Sequence, residues 1–498
     1  MYPLFLLPGD VPAQGNLRSR TQIRAAGSIE AELPQSGKEE EFEYMTDQNN
    51  EQGRRWAKDY FAYFVKWIIL SLVTGAVCGV TGGAFARCVS WATQFRSVNG
   101  WMILFLPAAG LLIVLMYQKL KLSGVGTNAV FDSAVEGDSL KFRLIPAIFV
   151  GTVLTHLFGG SAGREGAALQ IGGDIGNHIG QVFRFDEEDK KIATMTGMAA
   201  FFAALFGTPV TAAVFVATVI SVGMVKHAAL VPGMIASVFA AEVASLMGAA
   251  PVRFQIEAPD VSPLMMGKVM ILAAACGLVS AFFVMALHYA KGFYERFLKN
   301  PYLRVLAGGA VIVGLTFLVG NQDYNGAGVD VIARAIGQGQ ARPWDFAMKI
   351  LFTALTLEAG FKGGEIVPTF YIGATFGCVF GQLLGIPAGF AAAVGFTAMF
   401  AGVTNTMITS ILLAAEVFGG AGLPYFGVAC MLSFVFSGYN GLFSSQVIIF
   451  SKLRPRRVMK KVDHRVDLDK DCKAVAGDGR EPETGKNNEE YDPKRGDM

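Results

Sequence analysis

Charge is what this sequence is short of. Asp, Glu, Lys and Arg make up 16% of its 498 residues, against about 25% in a soluble globular chain. Hydrophobic residues reach 52%. That balance argues against the several soluble domains the length would allow, and for a polytopic membrane protein. A net charge of +2 gives nucleic acid little to bind, so no nucleic-acid partner is expected. The six cysteines (Cys78, Cys88, Cys276, Cys378, Cys430, Cys472) form no CxxC pair and have no His at metal spacing, which speaks against a disulfide framework or a zinc site. They are expected to pack as small hydrophobes. No stretch reads GxxxxGK[ST], and Gly163-Arg164-Glu165-Gly166 follows no β-rich run. Phosphate-cradling enzymes are therefore disfavoured, and neither enzymatic activity, nor a cofactor, nor a metal site is expected. The apolar start Leu4-Phe5-Leu6-Leu7 is too brief for the core of a signal peptide.

Long apolar runs are what the sequence has instead. They fall at roughly 60–89, 101–118, 143–158, 192–224, 228–249, 264–291, 303–320, 345–360, 369–400, 406–419 and 423–450. A spanning helix needs about 20 apolar residues. Several runs are shorter than that, and others are longer or broken by glycine, the pattern of tilted, partial and re-entrant helices. Residues 1–57 are polar, with the acidic run Glu39-Glu40-Glu41-Phe42-Glu43, and read as a mostly disordered tail with a short amphipathic helix near its end. Arg54, Arg55 and Lys58 precede the first run; Lys452, Arg454, Arg456, Arg457, Lys460 and Lys461 follow the last. Both termini are accordingly expected in the cytoplasm, with an even number of crossings between them. The tail 452–498 is too short and polar for a folded regulatory domain of ordinary size.

Three local patterns recur in the same order. Gly124-Val125-Gly126 returns as Gly326-Ala327-Gly328. Ala167-Ala168-Leu169-Gln170-Ile171-Gly172 returns as Pro368-Thr369-Phe370-Tyr371-Ile372-Gly373, and Gly207-Thr208-Pro209-Val210-Thr211 as Asn405-Thr406-Met407-Ile408-Thr409. The offsets are 202, 201 and 198 positions. Two homologous halves are expected, 58–250 and 265–451, joined by a linker at 251–264. If each crosses an odd number of times they are inverted, a recurrent transporter plan. The fold class expected is thus an all-α polytopic membrane protein with an inverted repeat of two halves.

Four glycine-bearing breaks interrupt the runs, at 123–128, 159–167, 360–368 and 436–443. Breaks at membrane depth expose backbone N–H groups at helix N-termini, which suit an anion. The second break carries Arg164 and Glu165, and an ionisable residue there is a functional candidate by default. Glu165 and Glu365 fall at similar positions in the two halves. A carboxylate on an anion path competes with the anion when ionised and withdraws when protonated, so one residue can gate and carry a proton. The bland alternative for Glu165 is a structural ion pair with Arg164.

Gly163-Arg164-Glu165-Gly166-Ala167 resembles the GREGP motif of the CLC family of chloride channels and anion/proton antiporters, with Ala167 in place of proline. The resemblance covers about 60–450. It implies that Glu165 is the external gating glutamate. Gly124-Val125-Gly126-Thr127-Asn128 falls where that family has GSGIP, so Val125 replaces the serine that holds chloride. Gly364-Glu365-Ile366-Val367-Pro368 falls where it has GIFAP. Gly360-Phe361-Lys362-Gly363-Gly364-Glu365 resembles the GFKGGE signature of the fluoride-exporting branch, where the matching glutamate takes part in fluoride/proton coupling. That branch commonly has threonine where this chain has Val367; Thr369 is near but out of register.

The resemblance implies an anion site built from Gly124, Val125, Gly126, Gly163, Arg164, Gly166, Gly364, Ile366 and Val367, with a late aromatic. For the last, Phe443 in Gly441-Leu442-Phe443-Ser444 fits the family's central tyrosine best, while Tyr439 keeps a hydroxyl; both stay open. The inner carboxylate of chloride/proton antiporters is missing at Ala217-Thr218-Val219, and Glu365 is its natural substitute. Glu416 is expected to be structural. His156, Asp174, His178, Glu242 and Glu358 get the same reading. Lys362 either neutralises Glu365 or snorkels to the surface. The function implied is fluoride/proton antiport across the plasma membrane by a homodimer embedded in lipid. A chloride/proton exchanger and a passive gated anion channel are the rivals.

Overall fold

In the computed structural model of the chain, residues 35–122, 124, 126–453 and 457–461 are described. Val125, Cys472 and the expected tail segments 1–34 and 462–498 lie outside them. The chain forms two compact units, Met1–Lys66 and Trp67–Met498; helix α1 begins in the first, and every other feature below belongs to the second.

Helix α1, Gln35–Val98, is followed by a 3-10 turn, α2 (Leu106–Lys119), α3 (Thr127–Glu136), α4 (Leu144–Leu157), α5 (Glu165–Val182), α6 (Glu187–Phe206), α7 (Pro209–Val219) and α8 (His227–Leu246). After the linker come α9 (Pro263–Phe297), α10 (Pro301–Val319), α11 (Val329–Gly337), α12 (Asp345–Ala359), α13 (Ile366–Leu383), α14 (Ala388–Thr404), α15 (Met407–Phe418) and α16 (Leu423–Phe436). Six of these helices contain a stretch long and apolar enough to cross a membrane; five shorter ones are equally apolar. In hydrocarbon a backbone must satisfy its own N–H and C=O groups, so helices that stop at membrane depth do so only inside protein.

Helix ends follow local chemistry. The Asp186 carboxylate caps α6 by accepting from Asp189 N at 2.8 Å, and Ser262 caps α9 just before Pro263. The long run 192–224 is cut at Gly207, whose φ of +67° is cheap only for glycine, with Pro209 opening the next helix. The run 369–400 is cut likewise between α13 and α14. The last run departs from expectation: its end is not helical. Val447–Phe450 forms strand β2, between β1 (Ser221–Val222, parallel) and β3 (Arg457–Lys461, antiparallel).

The inverted repeat is written in the backbone. Helices α2–α8 and α10–α16 match one for one in order. Thr208, before α7, has φ −123° and ψ 73°; Thr406, before α15, has −124° and 73°. Two helix pairs cross on glycine faces, α5 with α6 and α13 with α14. A Cβ on Gly176 would stand 3.1 Å from Gly197 Cα, and one on Gly377 3.0 Å from Gly395 Cα. Such faces let backbones approach closely without the help of a hydrophobic drive, and they hold α5 and α13 rigidly where the site needs them.

Candidate anion and proton site

The four breaks meet. Gly163 N donates to Gly364 O at 2.7 Å and Gly364 N to Gly163 O at 2.9 Å, a two-residue antiparallel bridge between the second and third breaks. Asn128, in the first turn of α3, donates from Nδ2 to Ser444 Oγ at 2.7 Å, tying the first break to the residue that follows the fourth. Gln170 of α5 donates to Thr127 Oγ1 at 2.9 Å, which joins the two ties. Short polar contacts therefore run from every break to the start of α5.

Glu165 is the first residue of α5 and has no solvent exposure. Its Oε2 accepts from Arg164 N at 2.9 Å and Val367 N at 3.3 Å. Val367 lies in the first turn of α13, so one carboxylate oxygen spans the positive ends of two helices. Oε1 stands 4.0 Å from Arg164 Nε, and Arg164 Nη2 donates to Leu205 O at 3.2 Å. The Arg164–Glu165 ion pair is thus real but long, and the backbone amides hold the carboxylate more closely.

The bridge also fixes the register between halves. It pairs two residues that the 201-position offset of the repeat maps onto each other, and by that offset Arg164 corresponds to Glu365 and Glu165 to Ile366. The two carboxylates are one position out of step, and they face different surroundings. Glu365 immediately precedes α13 and is half-buried. It lines a cavity of about 140 Å³ with Gly126, Thr127, Gln170, Glu358 and Lys362. Lys362 does not snorkel outward: its Nζ sits 4.3 Å from the centre of the Tyr117 ring, inside the same cavity lining.

Of the remaining candidates, Gly126 precedes α3 and lines the cavity, whereas Gly124 lies in an exposed turn with φ +80°. Gly166, Ile366 and Val367 are buried beside the bridge. Phe443 is buried and packs edge-on against Phe131 of α3, with ring centres 4.7 Å apart. Tyr439 lies elsewhere, packed on Val222, Phe434 and Ile448, and its hydroxyl donates to Ser451 Oγ at 3.0 Å. The Thr369 hydroxyl is turned back onto Glu365 O at 2.9 Å. Glu416 accepts from Val210 N, Thr211 N and Thr211 Oγ1 and so caps α7. Thr218, where chloride/proton antiporters of the resembled family carry a carboxylate, pairs with Thr409 at 3.1 Å.

The sequence reading missed Lys349. It is completely buried in α12 and donates to Tyr324 O at 3.1 Å and Gly326 O at 2.7 Å, over the Tyr371 ring. Gly326 N in turn donates to Gly160 O at 3.1 Å and Asn325 Nδ2 to Gly159 O at 2.9 Å. Ser161 is held from α12 by Thr353 and Thr356. One face of α12 thereby braces the start of the Glu165 break. The signal was a lysine inside an apolar run.

The family described as "Voltage gated chloride channel" matches residues 109–438. A chloride/fluoride channel protein of Pseudomonas syringae pv. tomato is 35% identical over 405 residues, covering 79% of this chain and 89% of that protein. The H(+)/Cl(-) exchange transporter ClcA of Vibrio cholerae is 26% identical, covering 70% and 81%. Among solved structures, a CLC-type fluoride/proton antiporter superposes with a TM-score of 0.75 at 33% identity, covering 77% of this chain and 98% of that one. A slow cyanobacterial Cl-/H+ antiporter, at 20% identity and a TM-score of 0.65, shares the fold.

Proposed function

The chain belongs to the voltage gated chloride channel family, the CLC transporters, and from that premise we propose that it is a fluoride/proton antiporter, exporting fluoride as protons enter. The observation that carries the reading is the position of the Glu165 carboxylate. It lies across the Arg164 and Val367 amides, at the joined N-termini of α5 and α13, where helix ends suit an anion. Ionised, Glu165 holds that place and excludes the anion; protonated, it releases it. Exclusion of one by the other couples the two fluxes.

Fluoride is favoured over chloride by the GFKGGE stretch at 360–365, which puts a second carboxylate, Glu365, beside the path. A small, strongly hydrated anion needs compact donors to replace its shell, as backbone groups do in selectivity filters. Gly163, Gly166, Gly364 and Ile366 bring the backbone close, Arg164 supplies charge, and Phe443 offers a weakly positive ring edge next to the tie between the first and fourth breaks. Gly124, Val125 and Tyr439 have less support: an exposed turn, a residue outside the described set, and a hydroxyl already committed to Ser451. Thr218 carries no carboxylate for a chloride-type inner proton path, which leaves Glu365 as the inner group. All these residues come from one chain, which fits a homodimer in which each subunit has its own pathway. Placement in the cell membrane with both termini in the cytoplasm follows from the flanking basic residues.

The test is flux from liposomes, with a fluoride electrode, a chloride electrode and a pH electrode in one vessel. Fluoride efflux accompanied by proton uptake is the expected result. Chloride efflux with proton uptake favours the exchanger, and anion efflux without protons favours a gated channel.

A further inference from the structure

Sequence alone gives Glu358 a structural role. Its surroundings say otherwise. Glu358 lies in the last turn of α12 and lines the same cavity as Glu365. The charged groups facing it are Lys291 and Glu295 from α9, Arg304 from α10, and Lys362 and Glu365 from the break that follows. Lys291 and Glu295 are exposed, Glu358 and Glu365 are half-buried, and Glu165 is wholly buried. Carboxylates are thus graded from solvent to the anion site. The cavity between the second and third is polar and large enough for a short chain of water, with Gln170 and Thr127 on its wall. No hydrogen bond from the protein holds the Glu358 carboxylate among the described residues, unlike Glu416, whose oxygens take three donors.

We propose that Glu358 is the inner proton-release group, taking the proton that Glu365 gives up and passing it to bulk water, with Lys362 balancing its charge. This rests on the fluoride/proton antiport reading. Glu365 as an acid gives its proton through cavity water to the Glu358 carboxylate, leaving Glu365 ionised and Glu358 neutral. Glu358 then loses the proton to water beside Lys291 and Glu295. Net charge in the cavity is unchanged by the first step, in which Lys362 offsets the one negative charge; release from Glu358 leaves two carboxylates beside Lys362 until Glu365 is protonated again.

The full-length protein in liposomes tests this with three measurements: fluoride-driven proton uptake, radioactive fluoride self-exchange, and the pH at which coupled flux is half-maximal. In Glu358→Gln, proton uptake is expected to fall at least tenfold while self-exchange persists. In Glu358→His, which carries a proton over a range about two pH units higher in an unperturbed setting, uptake is retained and the pH midpoint moves. Wild-type proton uptake in Glu358→Gln overturns the proposal, and so does an unmoved midpoint in Glu358→His should the Gln variant not fold. Absence of proton uptake in the wild type is a different result, one that overturns antiport itself.

Discussion

Gly163 and Gly364 exchange two backbone hydrogen bonds, at 2.7 and 2.9 Å, and so lock the break of one half to that of the other. The bridge leaves no room for side chains. It sets the distance between the N-termini of α5 and α13, and hence whether one carboxylate can reach amides of both. The gate proposed at Glu165 is therefore a property of the pair of halves and not of either alone.

Gly364→Ala is expected to disable transport. Its Cβ would meet Gly166 Cα at 3.0 Å and Glu165 N at 3.3 Å, both backbone, with no flexible side chain to yield. Overpacking of this kind costs about 1–3 kcal/mol. A lower Tm in detergent and at least a tenfold loss of fluoride flux are expected. Gly314→Ala, on an exposed face of α10 with nothing within 4 Å of the added atom, should match the wild type in both.

Glu165→Gln keeps the shape of the side chain and removes its charge and its proton. Fluoride then no longer competes with a carboxylate for the Val367 amide. Proton uptake should drop to background while fluoride still moves passively, and the pH dependence of fluoride flux should flatten, since no carboxyl group has to be protonated to open the site. Proton-coupled exchange persisting unchanged would sink the gating role.

The two aromatics separate by a paired substitution. Tyr439→Phe loses a hydrogen bond to Ser451, worth about 1 kcal/mol, and should leave fluoride flux and its preference over chloride intact. Phe443→Ala removes a buried ring that packs on Phe131, costs about 3–5 kcal/mol if the cavity does not collapse, and should lower both flux and preference. Flux altered by the Tyr439 change alone would exchange the assignments.

How much of this was legible in the sequence depends on distance along the chain. Local signals were plain: Glu165 stands out as an ionisable residue inside a glycine break, Gly207-Thr208-Pro209 announces a helix end, and recurring patterns betray the repeat. Contacts between remote segments were not. Similar placement of Glu165 and Glu365 is visible by eye, and among the repeat offsets of 202, 201 and 198 positions the Gly163–Gly364 pairing selects 201, which sets the two carboxylates one position out of step. Glu358 looks like any helix-end carboxylate until the fold sets it in the cavity of Glu365. Val447–Phe450 continues an apolar run, and a short run does not reveal whether it is helix or strand; pairing with Ser221–Val222, far back in the chain, decides it.

Lys349→Met tests whether α12 braces the gate or merely fills space. Methionine has similar length and no N–H groups, so the carbonyls of Tyr324 and Gly326 lose a buried donor, at about 1–3 kcal/mol for each group left unsatisfied. Some of that is recovered because an ammonium no longer has to be kept out of water. A modest fall in Tm is therefore expected. The functional effect should be larger than the stability effect suggests. The loop 324–326 is what holds Gly159 and Gly160, and these begin the stretch that ends at Glu165. A loosened start lets Glu165 leave the Val367 amide without being protonated, so fluoride slips past uncoupled. The expected signature is a lower ratio of protons to fluoride at near-normal fluoride flux. Lys349→Arg should not restore it, because a site with no exposed surface has no space for a guanidinium. A wild-type ratio in Lys349→Met, measured with both electrodes in one vessel, would assign the lysine to packing alone.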